Sequence, residues 1–191
     1  MFARRSARMA KALSKRPAVF VDRDGVINRR LPGDYVSAWE QFHFLPGARA
    51  GLRALREAGY LLVVITNQRG IGRGLMSEAD LAEVHRRMQV ELLRADAGVD
   101  AILHCPHDLG EGCDCRKPKP GMIERALERF AIDVASSWVV GDSLSDLEAG
   151  RAAGIRGILV VPRGERHPPG VPAAGSLLSA ARAIVAGRRQ P

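Results

Sequence analysis

Five short apolar runs, each followed by a stretch with helical patterning, constrain this chain more than any other feature. They are residues 18–22 (AVFVD), 60–66 (YLLVVIT), 101–104 (AILH), 138–141 (WVVG) and 157–161 (GILVV). Runs without polar alternation read as strands buried on both faces. Between them, residues 47–58 place Ala48, Leu52 and Leu55 on one stripe. Ser77, with Asp80 three residues on, opens a second helix carrying Leu81, Val84, Met88 and Leu92. Residues 120–130 start at Pro120 and carry Ile123, Ala126, Leu127 and Phe130; further helices are expected at 145–153 and 176–187. This alternation predicts an α/β fold, a Rossmann-like parallel sheet with helices on both faces. Ligands bind such sheets beyond the carboxyl ends of the strands, so Asp22, Thr66 and Asp142, each at a strand end, should converge.

One domain accounts for 191 residues, and no apolar run reaches the roughly 18 residues of a membrane span. The net charge of +8 points towards a polyanion, but its location weakens that reading. Residues 1–16 hold six basic residues and no acid, leaving +2 for the remaining 175. The segment has the Arg-rich look of a transit peptide and lacks the apolar stretch of a secretory signal. The expected organisation is a disordered basic extension over 1–16 and a single domain over 17–191, with the Pro/Gly-rich stretch 162–175 as loop. Aromatic content is 5%, and none interleaves with the basic segment to make a stacking platform for nucleic acid.

Four polar motifs follow the strands. Asp22-Arg23-Asp24-Gly25 places two acids two residues apart, a pair able to hold Mg²⁺ or to offer a nucleophile to phosphorus. Thr66-Asn67-Gln68-Arg69 supplies a hydroxyl and amides suited to phosphate oxygens. Arg116-Lys117-Pro118-Lys119-Pro120 offers a bidentate fork and a point charge. Gly141-Asp142-Ser143-Leu144-Ser145-Asp146 adds a further acid, with Asp146 read as a helix cap or a supporting partner. Singly, turns and caps would explain each motif. Their order and shared position at strand ends would not follow from turns alone.

All three cysteines lie in the window Cys105-Pro106-His107 to Cys113-Asp114-Cys115. An odd number in one window is no disulfide framework. Three thiolates and an imidazole make a full tetrahedral set for a structural Zn²⁺ in a loop over 105–115, with His104 as the alternative to His107. Its task would be to hold the loop presenting Arg116 and Lys117. His43, His85 and His167 are isolated and receive no role.

The four motifs together resemble the haloacid dehalogenase (HAD) phosphohydrolase superfamily, over roughly residues 17–161. The resemblance implies a HAD core without a cap domain. It makes Asp22 the nucleophile and Asp24 the general acid/base, with Thr66 holding the phosphoryl group and Lys117 neutralising charge. Mg²⁺ would sit on the Asp22 carboxylate, the Asp24 backbone carbonyl and the Asp142 carboxylate.

A zinc loop just before the lysine is similar to a subgroup that acts on heptose 1,7-bisphosphate or histidinol phosphate. Residues 22–28 with 33–36, residues 42–47, and residues 115–122 look like the heptose branch. That likeness implies substrate contacts from Gly33, Asp34, Tyr35, Asn67, Gln68, Arg69, Arg116 and Ser143. The expected activity is removal of the C7 phosphate to give heptose 1-phosphate, towards nucleotide-activated heptose for lipopolysaccharide or other surface glycans. The expected partner is a small sugar phosphate, with no specific nucleic acid and no membrane, for a cytoplasmic monomer. Histidinol-phosphate phosphatase is the nearest alternative, and a zinc-containing nucleic-acid-binding module the alternative of a different class.

Overall fold

The computed structural model describes residues 15–162 and 164–188. Six parallel strands form one sheet: β1 (Ala18–Val21), β2 (Leu61–Asn67), β3 (Ala101–Cys105), β4 (Trp138–Gly141), β5 (Arg156–Val160) and β6 (Ala173–Ala174). Their order is β3-β2-β1-β4-β5-β6, so the chain first winds outward from β1 on one side and then crosses back to its other side. That reversal opens a crevice at the carboxyl end of β1, where loops from both halves diverge. Among the described residues, four helices connect strands, α1 (Ala48–Glu57), α2 (Glu78–Leu93), α3 (Gly121–Arg129) and α4 (Leu144–Ala152), and α5 (Leu177–Arg188) follows β6. The segment between β1 and α1 holds loops and one turn of 3-10 helix at Trp39–Gln41.

Side-chain alternation along the strands divides the core in two. Val19, Val21, Leu62 and Val64 face Leu52 and Leu55 of α1, Met88 and Leu92 of α2, and Ile184 of α5. Phe20, Val63 and Ile65 face the other way, onto Met122, Ile123 and Ala126 of α3 and Ala149 of α4. Burial on both faces is why these strands read as continuous apolar runs. Close approach of α1 and α5 needs Gly51, where a Cβ would lie 2.9 Å from the backbone of Leu177.

The expected capping box of α2 is present: the Ser77 hydroxyl accepts from the Asp80 amide at 3.1 Å, and the Ser77 amide donates to the Asp80 carboxylate at 2.8 Å. Two expectations change. The stretch 162–175 is not all loop, because Ala173–Ala174 adds an edge strand beside β5. A strand of two alanines carries no pattern that sequence reading can detect. Of the expected extension, residues 1–14 lie outside the described residues, while Arg16 pairs with the segment around Ile132 by two backbone hydrogen bonds of 2.9 Å.

Candidate active site

β1 and β4 run in register from Val21 opposite Val140, and the Asp22 amide donates to the Val140 carbonyl at 2.9 Å. This pins the Asp22 carboxylate at the mouth of the crevice. Asp142, just past β4, and Asp146, in the first turn of α4, bring carboxylate oxygens within 4.8 Å of one another and of Asp22. Gly25 makes the convergence sterically feasible. Its φ is +93°, and any Cβ there would collide with the Asp142 carboxylate.

Lys117 crosses into this cluster from the loop before α3. Its Nζ donates to Asp22 Oδ1 at 2.7 Å and to the Ile65 carbonyl at 2.8 Å, and pairs with Asp146 Oδ1 at 2.6 Å. All three ammonium protons are thus used, and the side chain is buried. Burial opposes the ammonium charge, but Asp22 and Asp146 outweigh it and hold the Lys117 pKa above its ordinary value. For Asp22, burial wins over Lys117 and pushes the carboxyl up to about 7. Burial likewise takes Asp142 to about 6, against the pull of Arg30, whose Nη2 donates to Asp142 Oδ1 at 2.8 Å. Three packed carboxylates facing one buried ammonium leave an excess of negative charge, and oxygen donors of this kind fit a hard divalent cation such as Mg²⁺.

Asp24 is set differently. Its carboxylate accepts from Arg23 Nη2 at 2.9 and 3.0 Å, from Asn28 Nδ2 at 2.8 Å and from Gln68 Nε2 at 2.8 Å. Burial raises its pKa, but Arg23, Asn28 and Gln68 together hold it below the usual carboxylate range. Arg23 is itself fully buried, and its Nη1 meets His85 Nε2 at 3.0 Å. A guanidinium only donates, so Nε2 must accept and the imidazole carries its proton on Nδ1.

The expected substrate residues divide into two groups. Gly33, Asp34, Tyr35, Arg69, Arg116 and Ser143 line one cavity with Asp22, Asp24, Thr66 and Lys117. Its volume is about 460 Å³, enough for a small ligand. Asn67 also lines it, but both polar atoms of its amide clasp the Lys117 backbone, at 3.1 and 3.2 Å. Gln68 turns inward instead. It is buried, and its Nε2 donates to Thr66 Oγ1 at 2.8 Å as well as to Asp24. The expected contact from Gln68 is therefore replaced by a supporting role, because Asp24 and Thr66 need its donors.

Sequence reasoning missed Arg30 as a lining residue, and Arg23 and His85 as the buried support of Asp24. The pair Arg29-Arg30, straight after the first motif, was the available signal for Arg30. Nothing in the sequence marks Arg23 as buried.

Next to the cavity, Cys105, His107, Cys113 and Cys115 converge. Cys115 Sγ lies 3.2 Å and Cys105 Sγ 3.5 Å from His107 Nδ1, and Cys105 and Cys113 are 3.6 Å apart. Tetrahedral zinc with the usual Zn–S and Zn–N bonds needs ligand separations of about 3.5–3.8 Å. The two Cys105 separations fall in that range and the Cys115–His107 one is shorter, so three thiols and an imidazole are gathered closely enough for that ion. His104 does not belong to it, since its Nε2 is 2.9 Å from Glu78 Oε2.

Comparison with known proteins agrees with this geometry. The HAD-hydrolase-like family model matches residues 114–185. A D-glycero-alpha-D-manno-heptose-1,7-bisphosphate 7-phosphatase of Mycobacterium bovis is 48% identical over 131 residues, 68% of this chain and 69% of that protein. The D-glycero-beta-D-manno-heptose-1,7-bisphosphate 7-phosphatase of Rhodopseudomonas palustris is 43% identical over 157 residues, 78% of this chain and 86% of its own. The crystal structure of D,D-heptose 1,7-bisphosphate phosphatase from B. bronchiseptica, complexed with magnesium and phosphate, superposes with a TM-score of 0.81. It is 34% identical, and the match covers 90% of this chain and 99% of that one.

Proposed function

The chain belongs to the HAD-like heptose-1,7-bisphosphate 7-phosphatase family, and from that premise we propose that it hydrolyses the C7 phosphate of D-glycero-D-manno-heptose 1,7-bisphosphate to leave heptose 1-phosphate. The observation carrying this reading is the Asp22–Lys117 pair at the floor of a cavity whose wall carries Arg30, Arg69, Arg73 and Arg116. A sugar with two phosphates matches that charge distribution. Histidinol phosphate bears a cationic amine and would want carboxylates on the rim, where Asp34 alone stands apart from the catalytic acids.

The Asp22 carboxylate attacks phosphorus in line and forms an acyl-phosphate as the bond to the C7 oxygen breaks. Lys117 favours the ionised nucleophile and offsets charge on the phosphoryl oxygens. Thr66, whose hydroxyl oxygen already accepts from Gln68, is free to donate its proton to a phosphoryl oxygen. Asp24 protonates the departing alkoxide, then takes a proton from the water that cleaves the acyl-phosphate. The resting site holds Asp24 as the carboxylate, the form that second step needs. A phosphate dianion arriving beside it raises its proton affinity and so prepares the acid for the first step. Asp22 and Asp142, with the Asp24 backbone carbonyl, would hold Mg²⁺, which when bound offsets charge on the phosphoryl group. Cys105, His107, Cys113 and Cys115 would hold a structural Zn²⁺ that fixes the loop leading to Arg116 and Lys117.

Confinement of all three cysteines to that cluster suits a reducing compartment such as the cytoplasm. No helix among the described residues is long and apolar enough to cross a membrane.

Phosphate release with Mg²⁺ from the α and β anomers of heptose 1,7-bisphosphate and from histidinol phosphate tests the assignment. A large preference for a heptose anomer is expected, with no turnover by Asp22→Asn. Preference for histidinol phosphate would overturn the substrate, and retained activity in Asp22→Asn would overturn the nucleophile.

A further inference from the structure

The loop carrying Arg69 is locked onto the cysteine loop. The Gln68 amide donates to the Cys105 carbonyl and the Gly72 amide to the Pro106 carbonyl, both at 2.8 Å. Gly72 has no room for a side chain, since a Cβ would lie 2.6 Å from the Asp108 amide and 2.9 Å from Glu111 Oε1. Asp108 is fixed within its own loop: its amide donates to Glu111 Oε1 and its Oδ1 accepts from the Leu109 amide, each at 2.6 Å. The same Oδ1 accepts from Arg69 Nε. Among the described residues, this is the one side-chain hydrogen bond that Arg69 makes, so the Nε edge is taken and both Nη groups remain for a ligand. Arg69 lines the cavity, and each partner keeps roughly 30% of its side-chain surface exposed, so the pair is not part of the core.

We propose that Asp108 is a positioning residue that presents the Nη groups of Arg69 to the phosphate that is not transferred. The inference rests on the bisphosphate reading above. A free arginine on a rim samples many rotamers, and ordering it on binding opposes affinity. A carboxylate anchored by its own backbone neighbours removes that cost before the ligand arrives. Because Asp108 follows the metal-ligand candidate His107 directly, the cysteine loop then has a second task besides carrying Arg116 and Lys117. It sets affinity for one end of the substrate without touching the end that reacts.

The test compares wild type, Asp108→Ala, Asp108→Glu, Arg69→Ala and the Arg69→Ala/Asp108→Ala double variant. The substrates are heptose 1,7-bisphosphate and heptose 7-phosphate, which lacks the distal phosphate, and bound zinc is measured in parallel. Asp108→Ala should raise KM for the bisphosphate about tenfold, leave kcat within about twofold, and leave heptose 7-phosphate kinetics and zinc content unaltered. Asp108→Glu should recover part of the loss, and the double variant should be no worse than Arg69→Ala alone. Wild-type discrimination between the substrates that survives Asp108→Ala overturns the positioning role alone, as does a parallel loss on both substrates. Wild type treating the two substrates alike overturns the bisphosphate reading, and the positioning role with it.

Discussion

Arg23 stands between two acids in sequence, yet it is among the largest fully buried side chains of the described residues. Its charge is matched by Asp24, so Asp24 supports the fold as well as its proposed chemistry. Removing one partner of a buried pair leaves the other uncompensated. Asp24→Ala should therefore destabilise the protein by about 3 kcal/mol in urea unfolding, and a neutral or stabilising change would contradict the account. His85 gives a pH signature. Burial, reinforced by Arg23, takes its pKa from 6.5 down to about 3. Between those values the unfolded chain binds a proton that the folded chain refuses, so this contribution is intact above pH 6.5 and is lost as pH falls towards 3. His85→Gln keeps an acceptor for Arg23 and should lose less stability than wild type between about pH 7.5 and about pH 5. Equal losses would show that His85 titrates normally. The acids, Thr66 and Lys117 were legible as polar residues at strand ends. The Arg23–His85 contact joins residues 62 positions apart, and no local pattern announces it.

At the scale of elements, the helices and five strands were legible because the sheet is buried on both faces and the helices on one. The edge strand β6 was not, having two residues and no alternation. Loops carry the rest of the site, and they hold one another: Tyr35 packs its ring against Gly70, where a Cβ would lie 2.9 Å away, and the loop around Gly72 seats on the cysteine loop. Loss of the proposed zinc from that loop should spread along these contacts. Chelation, or Cys113→Ser, should speed amide exchange over residues 105–117 and lower kcat/KM more than tenfold, while exchange in β1 and β4 stays slow. Unchanged exchange in the loop would show that the cluster closes without an ion. Gly25→Ala should abolish turnover, because its Cβ and the Asp142 carboxylate cannot share one position. Activity near wild type would mean the first loop is free to move aside.

For the molecule as a whole, the strand order sets where chemistry happens. Winding outward from β1 and returning to its other side brings Asp22, Asp142 and Lys117 together from three segments far apart in sequence. The excess positive charge resides mainly in residues 1–16, so deleting 1–14 should leave kcat/KM within about twofold. Extending the deletion through Arg16 removes its two backbone hydrogen bonds and should cost about 2 kcal/mol of stability. The central claim is that Asp22 is the nucleophile of a sugar bisphosphate phosphatase. Rapid acid quenching of the enzyme with Mg²⁺ and heptose 1,7-bisphosphate, followed by mass spectrometry of its peptides, tests it most directly. A phosphoryl group on Asp22 is expected within the first turnover and absent in Asp22→Asn. A phosphoryl group on another residue, or steady turnover by Asp22→Asn, would contradict it.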